Sequence, residues 1–109
     1  MSLIALTLFH TPKGITGGTF TLTYFMCDGK AIFFKVPRIY EATYDGSNWI
    51  VEYEKETGIA VCVEEWAEVL AELYSDWRFI YQTYGLAQDE TLSGDARELK
   101  RYILSCLDI

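Results

Sequence analysis

The hydrophobic period of this chain changes once, and that change limits what it can fold into. Phe20, Leu22, Tyr24 and Met26 alternate with Thr19, Thr21 and Thr23, the step of two that belongs to a half-buried strand. From residue 64 the step lengthens. Trp66, Leu70, Leu73, Trp77, Ile80 and Tyr84 recur at intervals of three and four, the stripe of an amphipathic helix. Strands first and helices last, joined by short turns, predict an antiparallel sheet with helices gathered on one face. The expected fold is therefore α+β, one domain over residues 1–109. It has about five strands (two hairpins plus a short strand), followed by two helices packed on one face.

Residues 3–10 read as a first strand ending at the turn Thr11-Pro12-Lys13-Gly14, and Gly14–Gly18 reads as a flexible connector. Face parity through residues 20–36 predicts a three-residue loop, Cys27-Asp28-Gly29, which sets Tyr24 opposite Ile32. After Pro37, Tyr40, Ala42 and Tyr44 alternate on one strand, and Trp49, Val51 and Tyr53 on the next. A two-residue turn at Asp45-Gly46 is preferred there, because a four-residue loop sets Glu41 opposite Glu52. Residues 59–63 form the short fifth strand. The helical stripe runs to Gly85, and Ser93 caps a second helix with Asp95 in its first turn. Ala96, Leu99, Ile103 and Cys106 mark its inner edge, leaving Arg97, Lys100 and Arg101 toward water.

The charge is uneven. The whole chain carries −7, but residues 1–40 balance at +3 and residues 41–76 at −9. A field of this sign repels a phosphate backbone and attracts basic surfaces, so nucleic acid is not expected as a direct partner and a basic protein is. No run reaches the roughly 18 apolar residues of a membrane span. The N-terminal Met1-Ser2-Leu3-Ile4 has no basic leader, so a cytoplasmic protein without membrane association is expected.

Reactive groups are few. Cys27, Cys62 and Cys106 are too far apart for a Cys-x-x-Cys pair and are expected to be free, buried thiols. His10 is the single histidine, at a strand end with no nucleophile tied to it, so a histidine-based catalytic site has no support. Gly14-Ile15-Thr16-Gly17-Gly18 lacks the Gly-Lys-Ser/Thr ending of a phosphate loop. Glu52, Glu54 and Glu56 share one strand face, and Glu64, Glu68 and Glu72 one helix face. Neither set has the loop pattern of a calcium site or a histidine to complete a metal shell. No catalytic residue, metal or cofactor is expected.

Aromatic residues are more informative than acids alone. Three Trp, eight Tyr and six Phe in 109 residues exceed what a thin sheet with one covered face can bury. The surplus suits a protein interface, where Tyr and Trp act as anchors. Glu52, Glu54, Glu64, Glu68 and Glu72 are the candidate charged contributors, with Tyr53 and Tyr74 as exposed aromatic anchors. An alternative is a small-molecule pocket between sheet and helices lined by Tyr24, Trp49, Trp66 and Trp77. Open sheet edges favour a homodimer in either case.

The passages Tyr40-Glu41-Ala42-Thr43-Tyr44-Asp45-Gly46, Trp49-Ile50-Val51-Glu52, Gly58-Ile59-Ala60 and Glu65-Trp66-Ala67-Glu68 resemble the hairpin-to-helix region of HicB-like antitoxins. The tail Leu92-Ser93-Gly94-Asp95-Ala96-Arg97-Glu98-Leu99-Lys100 resembles the closing helix of small uncharacterised prokaryotic proteins of similar layout. The likeness spans residues 39–104. It implies a small partner-binding protein, an antitoxin-like mask for a basic ribonuclease toxin. HicB-like antitoxins usually add a DNA-binding segment, for which no counterpart is read here, and residues 1–37 have no counterpart in the resemblance. The expected function is a non-enzymatic protein-interaction module with an acidic surface.

Overall fold

A computed structural model describes the backbone of residues 4–11 and 14–109, with side chains from residue 17 onward. The turn read at Pro12-Lys13 and the side chain of His10 lie outside the described residues. The strands β1 (Ile4–Thr11), β2 (Gly14–Cys27), β3 (Lys30–Tyr44), β4 (Trp49–Val51) and β5 (Val61–Val63) precede the helices α1 (Trp66–Ile80) and α2 (Gly94–Cys106). Each strand pairs antiparallel with the next, in the spatial order β1-β2-β3-β4-β5. The class is α+β, an antiparallel sheet with two helices.

The glycines expected in a connector are instead part of β2. Gly17 pairs with Phe9 on one side and Thr43 on the other, and Gly18 with Leu8 and Ala42. Pairing on both edges holds a segment whose own propensity for strand is poor.

The long β2–β3 hairpin departs from the parity expected of it. Leu22 pairs with Arg38, but Tyr24 already pairs with Phe33, so residues 34–37 of β3 face a single β2 residue. Pro37, which has no N–H to give a ladder, sits in this bulge. The bulge exchanges the faces: Phe20 and Leu22 are buried before it and Phe25 and Cys27 after it, while Met26 is 42% exposed. With parity reset, the hairpin closes on two residues rather than three. Cys27 pairs with Lys30, and Asp28 and Gly29 both take positive φ, 50° and 76°, as a tight hairpin turn requires.

The second hairpin is also corrected. Tyr44 pairs with Trp49 and Ala42 with Val51, leaving a four-residue loop, Asp45–Asn48. The Asp45 carboxylate closes it, accepting hydrogen bonds from the backbone N–H groups of Ser47 at 2.8 Å and Asn48 at 2.7 Å. These bonds outweigh the Glu41–Glu52 repulsion that argued for a shorter turn, because β4 ends at Val51 and both glutamates are exposed to water.

One core joins the layers. Phe20, Leu22, Tyr40, Ala42 and Val51 from the sheet pack with Val69, Leu73, Trp77 and Ile80 of α1 and Ile103 of α2. The α1 stripe is centred on Val69, Leu73 and Trp77, with Trp66, Leu70 and Tyr84 half-buried along its edge. Beyond Ile80 the helix widens into one π turn, Tyr81–Gly85. Gly85 is buried there, where a Cβ would stand 2.9 Å from Cδ1 of Tyr81. The Ser93 hydroxyl accepts from the Ala96 N–H at 3.3 Å and caps α2. Lys100 does not face water as expected: its ammonium donates to the Ala87 carbonyl and pairs with Asp89 at 2.9 Å. The cysteines are free, but only Cys27 is buried, and Cys62 is exposed at β5. Among the described residues no helix is long and apolar enough to cross a membrane.

Candidate functional site

Among the described residues, a polar network at the edge of the core, an acidic flank on α1 and two adjoining grooves beside the loop between β4 and β5 stand out from the apolar packing. That loop, residues 52–60, folds back on itself. Glu54 N–H donates to the Ile59 carbonyl at 2.8 Å, and Gly58 N–H to the Glu54 carbonyl at 2.7 Å, with Gly58 at φ 76°. The turn aims the Glu54 carboxylate inward.

There Glu54 meets three donors. Arg38 Nη2 donates to Oε2 at 2.5 Å, while Tyr40 Oη and Thr57 Oγ1 donate to Oε1 at 3.0 and 2.5 Å. Trp77 Nε1 donates to Tyr40 Oη at 2.8 Å, and Arg38 Nη1 donates to Tyr102 Oη at 2.9 Å. The Arg38 guanidinium also lies 5.3 Å from the Trp77 ring centroid and 5.6 Å from that of Tyr102, within reach of cation–π attraction. Burial raises the pKa of Tyr40 above the ordinary tyrosine range, and the Glu54 charge adds to the rise. Burial opposes the charge on Arg38, but the Tyr102 hydrogen bond and the Glu54 charge help to outweigh it and raise its pKa. The network ties β3 and the 52–60 loop to both helices. Most of its polar atoms are spent on one another, and Arg38 Nη1 also donates to Cys106 Sγ at 3.4 Å.

Glu54 therefore differs from the other acids named from the sequence. Its carboxylate holds the fold together instead of facing a partner. Glu52, Glu64, Glu68 and Glu72 are all exposed. Glu64 precedes the first residue of α1, and Glu68 in the first turn accepts the Glu65 N–H at 3.1 Å. Asp76 extends the same four-residue spacing by another turn. Its pKa is raised by burial and then by the neighbouring Glu72 charge, so the row is electrostatically continuous at that end. Tyr53 is 67% exposed. Tyr74, expected to be an exposed anchor, is half-buried and packs against the core.

The four residues of the alternative pocket do not surround a common opening. Tyr24 packs on Phe33 at 5.4 Å, Trp49 on Trp66 at 4.5 Å, and Trp66 on Phe20 at 4.7 Å between ring centroids. Trp77 is 0% exposed, with Phe34 4.8 Å away edge-on. Ring packing fills this region.

Openings occur elsewhere. One groove of about 300 Å³ lies between the 57–60 turn and α1, bordered by Asp76, Phe79, Tyr84 and Leu99. A second of about 660 Å³ adjoins it across Leu99, bordered by Tyr53, Lys55, Glu56, Asp95 and Glu98. Among the described residues, no group of three or more His, Cys, Asp or Glu side chains is placed to hold a metal ion.

The chain matches no family model, and no curated protein or solved structure matches it. The resemblance of residues 39–104 to HicB-like antitoxins therefore rests on the sequence passages alone.

Asp76, Phe79, Asp95 and Glu98 were not named as site residues from sequence, although two signals pointed at the first pair. Asp76 continues the spacing of Glu64, Glu68 and Glu72. Phe79 is a large apolar residue off the helical stripe, and it is 59% exposed.

Proposed function

We propose that this chain is a non-enzymatic protein-interaction module that docks a basic protein partner through the acidic surface formed by Glu52, Glu64, Glu68 and Glu72. The observation that carries this reading is that these four carboxylates face water, while several bases are committed internally. Arg38 pairs with Glu54 and Lys100 with Asp89, and Arg78 donates to the Met26 carbonyl. Charge complementarity of this kind speeds encounter and selects partners. Exposed Tyr53, next to Glu52 in the chain, supplies an aromatic anchor. The likeness to HicB-like antitoxins favours a partner that is a small basic toxin, masked by this surface.

Affinity capture from a native extract tests the reading. Wild type retains a basic protein that elutes as salt rises toward roughly 1 M, where the Debye length is about 3 Å. The variant Glu64→Lys/Glu68→Lys/Glu72→Lys, folded by circular dichroism, does not retain it. Equal retention by both proteins at all salt concentrations contradicts the proposal.

A further inference from the structure

The two grooves meet at Leu99 and together form a trough between the 52–60 loop, α1 and α2. Its floor and walls combine two kinds of chemistry. Exposed Phe79 borders the first groove and exposed Tyr53 the second, with half-buried Tyr84 and Leu99 supplying further apolar surface. Four carboxylates border it, Asp76 in the first groove and Glu56, Asp95 and Glu98 in the second, against the single ammonium of Lys55.

Two of the three bases of α2 are directed elsewhere. Arg97 Nε donates to the Asp89 carbonyl at 2.8 Å, and Lys100 reaches Ala87 and Asp89. The second groove accordingly keeps a negative wall. An anionic or purely apolar occupant would leave these carboxylates opposed or desolvated without a partner. A cationic segment with one apolar side chain satisfies both the rim and the floor.

From this geometry we infer that the trough binds an extended basic segment of the partner, an arginine- or lysine-flanked aliphatic residue seated on Leu99 between Phe79 and Tyr53. The inference rests on the interaction reading above and specifies where, and by what chemistry, the partner is gripped. Burial has already raised the pKa of Asp76, consistent with a carboxyl held at a partly desolvated wall. A cation seated beside it would favour the charged form.

Backbone amide NMR with three end-blocked pentapeptides tests this. Gly-Arg-Leu-Arg-Gly should bind saturably, with shifts concentrated in residues 57–60, 76–84 and 95–99. Gly-Arg-Gly-Arg-Gly, which lacks the apolar anchor, should bind at least about tenfold more weakly, and Gly-Glu-Leu-Glu-Gly should not bind. Phe79→Lys and Glu98→Lys alter exposed positions and should each abolish binding of the leucine peptide with the amide spectrum otherwise folded. Equal binding of the leucine and glycine peptides, or shifts spread over all exposed acids, overturns the inference. So does a captured protein partner lost with the Glu64/Glu68/Glu72 charge reversal but retained by Phe79→Lys and Glu98→Lys, a result that leaves the broader interaction reading standing. Salt-indifferent capture fails that reading instead, whatever the peptides do.

Discussion

Arg38 on β3 and Glu54 in the loop after β4 form an ion pair at 2.5 Å, with only 17% and 21% of their side chains exposed. Sixteen residues of sequence separate them, and the second hairpin brings them together. Tyr40 and Thr57 donate to the same carboxylate, so its acceptor capacity is largely met. Removing one member should cost more than removing a surface ion pair, because the other is left partly buried with fewer partners. Arg38→Met should destabilise the fold by about 2 kcal/mol, read as a lower urea midpoint with little change in slope. A Thr57→Val and Arg38→Met double-mutant cycle should show coupling, since both residues grip Glu54.

The network also sets a response to alkali. The pKa of Tyr40 is raised in the folded chain above its ordinary value of 10.0 by burial and by Glu54. Below that value both folded and unfolded chains hold the proton, and the full stability is present. Above it the unfolded chain releases the proton first, so stability falls as pH rises. Urea midpoints should decline from about pH 10 upward. Tyr40→Phe should flatten that decline even though it lowers the midpoint at neutral pH.

Asp76 runs in the same direction but in acid. Its carboxyl pKa is raised by burial and by Glu72 above 3.8, so ionisation opposes folding once the pH exceeds the unfolded value. Asp76→Asn should raise the midpoint at pH 7, and that advantage should vanish near pH 3, where both side chains are neutral. A gain in stability from losing this carboxylate, alongside a loss of partner binding, would mark Asp76 as kept for function.

The secondary structure was largely legible because it is local. The alternation of Phe20 and Leu22 with threonines, the stripe through Leu73 and Trp77, and the Ser93 cap each depend on residues within a turn or two. The turns were not legible. Parity arguments carried Tyr24 and Met26 toward the core because they assumed an unbroken ladder, and the bulge around Pro37 reverses the faces midway. Glu54 was misplaced for a related reason. Whether a polar side chain faces water or a buried cation depends on pairing across the whole sheet, and Arg38 lies in a different hairpin arm. Tyr24, Trp49, Trp66 and Trp77, expected to line a pocket between sheet and helices, pack on neighbouring rings instead of lining a common space.

The tight hairpin turn predicts opposite effects at its two positions. Asp28 holds φ 50° and Gly29 φ 76°, a pair that Asn-Gly fits best. Asp28→Asn should stabilise by a few tenths of a kcal/mol, whereas Gly29→Ala should destabilise by about 1 kcal/mol. Thermal midpoints of the two variants, measured beside wild type, check both signs.

Gly85 gives a steric prediction. A methyl at this position would meet Cδ1 of Tyr81 at 2.9 Å and Cγ2 of Ile103 at 3.5 Å. The Tyr81 ring is itself packed 5.6 Å from Phe25, so it cannot give way freely. Gly85→Ala should cost about 1–3 kcal/mol despite the higher helix propensity of alanine. Pairing it with Tyr81→Leu should recover part of the loss.

The most direct measurement is the salt dependence of binding to the captured basic partner, comparing wild type with the Glu64→Lys/Glu68→Lys/Glu72→Lys variant by isothermal titration. An interaction steered and held by these carboxylates predicts affinity that falls steeply with salt for wild type, and weak, nearly salt-independent binding for the variant. Identical affinities and identical salt slopes for the two proteins would contradict the account.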